Sequence, residues 1–288
     1  MAIQNKTKKQ FVILGDRHYY VERPWPHSDV NLAGLSDVVA FPDGRVAAIC
    51  RNAPHVVIFG TGGEVVDTWV IPTLVCPHYG SITKNGDLLI ADLDGHRIFR
   101  INAQGVTVNI LGRADYPRWG APFNHPTAAV EDKDGGYWVS DGYGNSCVHH
   151  FAADLTLTST FGVPGAAPGE LSTPHDVLVA RNGQLLAVDR ENHRVQVFNA
   201  DGSYCTALEQ LYKPMAVAQL SDGSILVTDH TPRLSRYTVD GQLLGRCRTF
   251  STVAHGLAVA PDGCIYLAEM APTMLTRLCP VNDGSIAI

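Results

Sequence analysis

The sequence predicts an all-β chain folded as a six-bladed β-propeller. Three observations carry this: a sixfold repeat, a glycine at one register in every repeat, and a composition that leaves little room for long helices. The 288 residues include 27 Gly and 17 Pro, with 45% hydrophobic and 17% charged residues. That much Gly and Pro marks frequent turns between short segments. An all-β chain of this length is routinely one unit. The expected division is an N-terminal tail over residues 1–30, with a part in closing the ring, and a single propeller domain over residues 31–288.

The six segments are LSDVVAFPDGRVAAIC, PHYGSITKNGDLLIAD, PTAAVEDKDGGYWVSD, PHDVLVARNGQLLAVD, PMAVAQLSDGSILVTD and AHGLAVAPDGCIYLAE, starting at Leu35, Pro77, Pro126, Pro174, Pro214 and Ala254. Their second residues are Ser36, His78, Thr127, His175, Met215 and His255, and each stands eight positions before a glycine: Gly44, Gly86, Gly135, Gly183, Gly223 and Gly263. Asp or Asn precedes each of these glycines. Asp-Gly and Asn-Gly are the pairs that two-residue hairpins favour for their positive φ angles, so each unit is expected to open as such a hairpin. Further alternating runs such as HRIFRI and HRVQVF supply a third strand. Spacings of 42, 49, 48, 40 and 40 residues between units fit a four-stranded blade plus a loop. Period-2 alternation excludes a helical solenoid, and a β-helix would need shorter coils.

A net charge of −6 and a pI near 6.0 argue against a nucleic-acid or anionic-membrane surface, either of which needs clustered Lys and Arg. The one basic run, residues 6–9, reads as a solvated tail. No run of 18 apolar residues exists, and the first residues lack the apolar stretch of a secretory signal, so a cytoplasmic location is expected. Seven cysteines are scattered without a CxxC pair, which suggests neither a disulfide framework nor a cysteine zinc site.

The first strand of each blade lines a propeller axis, so residues at one register in six blades should form a ring. Alternate blades place His78, His175 and His255 on it, with Ser36, Thr127 and Met215 between them. Three imidazoles about 120° apart are the ligand set of a catalytic zinc whose fourth position stays open. Zinc is the expected ion, although imidazole also suits copper, iron or nickel. A single histidine here would read as a hydrogen-bonded polar residue near a core. The threefold placement is what favours a metal. The other nine histidines break the register; His149 and His150 are adjacent and face opposite sides of a strand.

Fourteen positions after the ring stand Asp92, Asp141, Asp189, Asp229 and Glu269, with Cys50 as the exception. Asp at a strand end commonly accepts backbone N–H bonds, and these are expected to brace loops. The next positions, Arg51, Leu93, Gly142, Arg190, His230 and Met270, should rise from the same channel mouth, with Tyr143 just beyond Gly142. Arg51 and Arg190 are candidate clamps for a small-molecule carboxylate substrate, and they would favour the phenolate form of a nearby tyrosine. Ordinary inter-blade salt bridges would use the same residues. Tyr143 would serve equally as a packed aromatic, no role follows for His230 or Met270, and Trp25, Pro26 and His27 are expected either to help close the propeller or to cap its mouth.

Four segments carry a family resemblance: CPHYGSITKNGDLLIADLDGHRIFRI, ILGR at 110–113, VSDGYGNS at 139–146, and PGELSTPHDVLVARNGQLLAVDRENHRVQVF at 168–198. Over residues 34–278 the chain resembles the peptidyl-α-hydroxyglycine α-amidating lyases, zinc propellers that complete peptide amidation, and NHL-type propellers more broadly. The resemblance implies zinc on His78, His175 and His255, a catalytic Tyr143, and Arg51 and Arg190 in the active site. The family's cysteine beside that tyrosine is Gly144 here, and its second disulfide pair falls on Leu186 and Val197, which agrees with a cytoplasmic protein. A calcium ligand of the family, the acidic residue after the last histidine, is Gly256, which counts against a structural calcium. A methionine two residues before that histidine is Val253, so the substrate pocket is expected to differ.

In that family a carbinolamide, R-CO-NH-CH(OH)-COOH, collapses to an amide and glyoxylate. The resemblance therefore implies a metal-dependent carbon–nitrogen lyase for a small N-(α-hydroxy)amide or hemiaminal carboxylate, with Tyr143 as general base. Two rivals stand beside it: a metal-dependent hydrolase or lactonase on the same open site, and a non-enzymatic NHL interaction scaffold.

Overall fold

The computed structural model describes residues 10–26, 30–114 and 116–281. The basic run at 6–9 and His27 lie outside the described residues. Each repeat opens as a hairpin with the same turn, in which the residue three before the glycine accepts the glycine N–H and pairs with the residue after it. Phe41 and Arg45 do this in the first unit, Ala180 and Gln184 in the fourth. The loop therefore holds three residues, not the two expected. Only the glycine takes positive φ, between 82° and 88° at Gly44, Gly86, Gly135, Gly183, Gly223 and Gly263. This is a type I turn closed by a left-handed residue. In most units the preceding Asp or Asn serves differently: Asp43, Asn182, Asp222 and Asp262 accept the N–H two residues on through their side chains. Nothing lies within 4 Å of a Cβ placed on Gly183, so backbone angle, not space, requires the glycine there.

Each hairpin grows into an antiparallel sheet, and six sheets result, five of four strands and one of five. The fold is an all-β six-bladed propeller with no α-helix among the described residues. The inner strands are Leu35–Ala40, Pro77–Ile82, Ala128–Glu131, Pro174–Val179, Pro214–Gln219 and Ala254–Val259. Second and third strands are almost wholly buried, as in Leu185–Asp189 and Arg194–Phe198, because neighbouring blades cover both their faces. The apolar cores accordingly lie between blades. Outer strands such as Leu157–Phe161 are exposed.

Blade 6 joins the two ends of the chain. Its inner three strands come from residues 254–280, and the strand Arg17–Glu22 pairs with Thr273–Pro280, followed outward by Gln10–Leu14. Trp25 then packs edge-on against Phe59 of blade 1 and Tyr266 of blade 6.

Candidate metal centre

The acids at the ends of the second strands fix the ring before any metal is considered. Asp92 accepts the N–H groups of Val75 and Cys76, Asp189 that of Ser172, Asp229 that of Tyr212, and Glu269 that of Phe250. Each of these residues stands just ahead of its blade's inner strand. The acid thus pins the loop that delivers the ring residue, as expected of a brace. An arginine neutralises most of them: Arg97 on Asp92, Arg194 on Asp189, Arg233 on Asp229 and Arg23 on Glu269. Blade 3 departs, because Cys147 stands where Arg97 and Arg194 stand. Its Asp141 is met instead by Asn145 Nδ2 at 2.7 Å and His149 Nε2 at 3.1 Å. Asp141, Cys147 and His149 cluster closely enough to resemble a metal site. Their place in the repeat marks them as this blade's version of the brace.

The inner strands carry a second local device. In blades 1, 2, 4, 5 and 6 the register between first and second strands slips by one residue at the ring position, for example between Pro77 and Gly80 and between Pro174 and Val177. Such a bulge re-aims side chains. Ser36, His78, Thr127, His175, Met215 and His255 are all buried, and the structure brings the three histidines together. Their ring centroids are 4.9, 5.0 and 5.1 Å apart, an almost equilateral triangle.

The odd blades set the tautomer. His78 Nδ1 donates to Thr127 O at 2.9 Å, His175 Nδ1 to Met215 O at 2.9 Å, and His255 Nδ1 to Ser36 O at 2.7 Å. Every histidine thus reaches the backbone carbonyl of the ring residue in the next blade. With the proton on Nδ1, each Nε2 presents a lone pair to the centre. Burial, with the charges of Arg51 and Arg190 behind it, holds His255 near a pKa of about 3. Burial and the other ring imidazoles push His78 and His175 well down as well. Three neutral imidazoles with convergent lone pairs are the donor set a divalent transition metal takes. His78 Nε2 is buried with no hydrogen-bond partner, a cost of about 1–3 kcal/mol that a bound ion would remove. The residues fit the expected zinc.

Tyr143 and Arg190 stand over this triangle. Tyr143 Oη donates to His175 Nε2 at 3.0 Å, and Arg190 Nη1 donates to Tyr143 Oη at 2.9 Å. Arg190 also lies over the tyrosine ring at 5.1 Å. Glu191 bridges Arg190 and Lys213, which fixes the guanidinium. On the opposite side Arg51 Nε donates to Ser36 Oγ at 3.4 Å. Burial, and then the nearby charges of Arg190 and Lys213, lower the pKa of His230, which stands near the same mouth. Asn145 accepts the Gly120 N–H and donates to Arg118 O and Ala121 O, tying the loop ahead of blade 3 to the strand end that carries Tyr143.

Sequence reasoning missed the floor. Tyr79 is fully buried beneath the histidines, with Oη 2.8 Å from Met215 O and 2.5 Å from His255 O. Below it lies an axial cavity of about 290 Å³ lined by Tyr79, Asp37 and Asp176. Tyr79 directly follows His78, and the bulge that turns both toward the axis has no mark in the sequence. Gly256 faces Asp37: a Cβ on it would fall 2.3 Å from Asp37 Oδ1. Asp37 of blade 1 thus occupies the space an acidic side chain at 256 would need. Leu186 and Val197, where the family's second disulfide would fall, are directly paired across two strands of blade 4.

Residues 171–198 match the NHL repeat family model. A probable peptidyl-alpha-hydroxyglycine alpha-amidating lyase of Caenorhabditis elegans is 26% identical over 79% of this chain and 70% of its own length. The peptidyl-glycine alpha-amidating monooxygenase A of Xenopus laevis is 22% identical over 96% of this chain, which spans only 35% of that protein. Among solved structures, a streptogramin B lyase superposes with a TM-score of 0.69 at 15% identity, covering 91% of this chain and 98% of its own. A gluconolactonase from Xanthomonas campestris also gives 0.69 at 15% identity, covering 93% and 91%. The structural likenesses show the propeller fold. The resemblance to the amidating lyases and to NHL propellers drawn from the sequence is borne out, and several of the relatives found carry enzyme names.

Proposed function

We propose that this chain is a zinc-dependent carbon–nitrogen lyase that cleaves an N-(α-hydroxy)amide or hemiaminal carboxylate to an amide and an aldehyde such as glyoxylate. The observation that carries the reading is the position of Tyr143 Oη, 2.9 Å from Arg190 Nη1 and 3.0 Å from His175 Nε2, at the face of three histidines whose Nδ1 protons are all committed to backbone. His78, His175 and His255 would hold the ion, which when bound supplies a Lewis acid that makes a hydroxyl more acidic.

Arg51 and Arg190 stand on either side of the mouth and supply guanidiniums for a carboxylate, which Arg binds bidentately. Held there, the substrate places its α-hydroxyl beside Tyr143 Oη. Tyr143 accepts the hydroxyl proton, and the Arg190 N–H stabilises the charge that develops on its oxygen. As the carbon–nitrogen bond breaks, electrons from the hydroxyl oxygen form the aldehyde C=O. The departing amide nitrogen takes its proton back from Tyr143. No water enters and no redox change occurs.

A small-molecule substrate, with neither nucleic acid nor membrane as partner, fits the net charge of −6. Among the described residues no helix is long and apolar enough to cross a membrane. A cytoplasmic location is part of the proposal, supported by Gly144, Leu186 and Val197 standing where the family has cysteines.

The deciding experiment gives purified protein an N-acyl-α-hydroxyglycine in ¹⁸O-labelled water and follows the acyl product. The lyase reading expects an unlabelled amide in step with glyoxylate. A labelled carboxylic acid would instead mark a hydrolase, the reading that a lactonase of the same fold suggests. Protein without a stoichiometric transition metal would leave only the scaffold.

A further inference from the structure

We propose that Cys264 and Cys279 are an oxidative modification site, forming an intramolecular disulfide in the blade that closes the ring. Ile265 of the second strand pairs with Leu278 of the third, so residues 264 and 279 face each other one rung further along. Their sulfurs stand 3.2 Å apart, both as free thiols and both buried. A disulfide bond spans about 2.05 Å, and opposed residues on neighbouring strands fall in the Cα range it requires, so small side-chain rotations close it. Among the described residues no other two sulfurs are in hydrogen-bond contact. The remaining cysteines stand apart from this pair.

The pair is chemically asymmetric. Cys264 donates its S–H to Cys279, and that bond, with the Arg277 charge adding to it, lowers the Cys279 thiol. The same bond pushes Cys264 up. Cys279 is therefore the nucleophile and Cys264 the resolving thiol. Burial excludes a protein oxidant, whereas a hydroperoxide is small enough to enter. Cys279 thiolate attacks the peroxide oxygen, giving a sulfenic acid and releasing hydroxide. Cys264 then attacks the sulfenic sulfur, and its proton leaves with the displaced hydroxyl as water. In sum, two thiols and one hydrogen peroxide give one disulfide and two waters; the sulfurs lose two electrons and the peroxide oxygens gain them.

Position gives the bond a consequence. Cys279 pairs on its other side with Tyr20 of the N-terminal strand, so the crosslink would fix the third strand of blade 6 on the rung where the two chain ends meet. Peeling of that closure would be slowed in the oxidised protein and restored by a thiol reductant.

The test treats the full-length folded protein with hydrogen peroxide, alkylates in denaturant and maps peptides by mass spectrometry. The expected result is a linked peptide pair carrying Cys264 and Cys279, with the other cysteines alkylated. The unfolding midpoint should rise by roughly 5 °C, reversed by dithiothreitol and absent in Cys264→Ala. Recovery of both cysteines alkylated after peroxide, Cys279 as a sulfinic acid without a link, or a link to any other cysteine would overturn the proposal. The mapping is done on the unaltered chain, so the result stands even if the variant fails to fold.

Discussion

Single side chains at the axis form two layers, a ring of three histidines and the Tyr143–Arg190 pair over it. His78, His175 and His255 are tied through Nδ1 to carbonyls of the next blade, which leaves only Nε2 for chemistry. Tyr143 and Arg190 touch each other above them. On the proposed reading Tyr143→Phe and Arg51→Ala each lower turnover by about 10²–10⁴-fold while zinc content, measured by elemental analysis, stays at one per chain. Full turnover in Tyr143→Phe would remove the tyrosine from the mechanism. Beneath the floor, burial lifts the Asp176 carboxyl from its ordinary range to about 7. Below about pH 4 it is protonated in both folded and unfolded chains. Between about 4 and 7 the unfolded chain loses the proton first, so the folded state binds more protons and stability falls as pH rises, by at most about 1.4 kcal/mol per unit. Urea unfolding of Asp176→Asn across that window is expected to show a flatter profile, whatever its absolute stability.

At the scale of one blade, two devices act together: a glycine turn that starts the hairpin and an acid that ends its second strand. Gly183 sits at a φ of 84° in open space, so Gly183→Ala should cost about 1–2 kcal/mol from backbone angle alone. Asp189 accepts from Ser172 N, Asn192, Arg194 and Gln196. Its removal in Asp189→Ala leaves a partly buried guanidinium unpaired and the loop before His175 unpinned. A loss of about 3–5 kcal/mol in denaturant unfolding is expected, with weakened zinc retention as the sign that the ring position has moved. An equal loss of stability with zinc binding untouched would confine the brace to folding.

Closure belongs to the whole molecule. A propeller whose first and last blades are unjoined has open edges, and here residues 10–22 cover the one in blade 6. Val12, Leu14 and Tyr19 are buried by that docking, which contributes about 5 kcal/mol or more at ordinary burial energies. Deleting residues 1–22 should therefore lower the unfolding midpoint markedly or yield aggregating protein through the exposed third strand, as light scattering would show. A truncated chain that melts like the full one would mean that blade 6 stands on three strands.

Blade number, the turn glycines, the bracing acids and the identity of the three ring histidines were all legible in the sequence, because a repeat makes local patterns testable six times over. Periodic constraints act on residues a fixed distance apart along the chain, and spacing alone can display them. The two-residue turn was misread for a local reason: Asp-Gly suits either loop length, and only backbone pairing separates them. What tertiary structure decided lies between blades or at the ring's seam. The Nδ1 bonds run from each histidine to the following blade, Tyr79 reaches under two others, Asp37 takes the space opposite Gly256, and strands from the two ends of the chain share one sheet. These contacts join residues from 40 to 261 positions apart, and a repeat shows which residues share a ring but not which atoms meet across it. The repeat placed three histidines on one ring, and the tertiary structure set their tautomer and seated Tyr143 beside them.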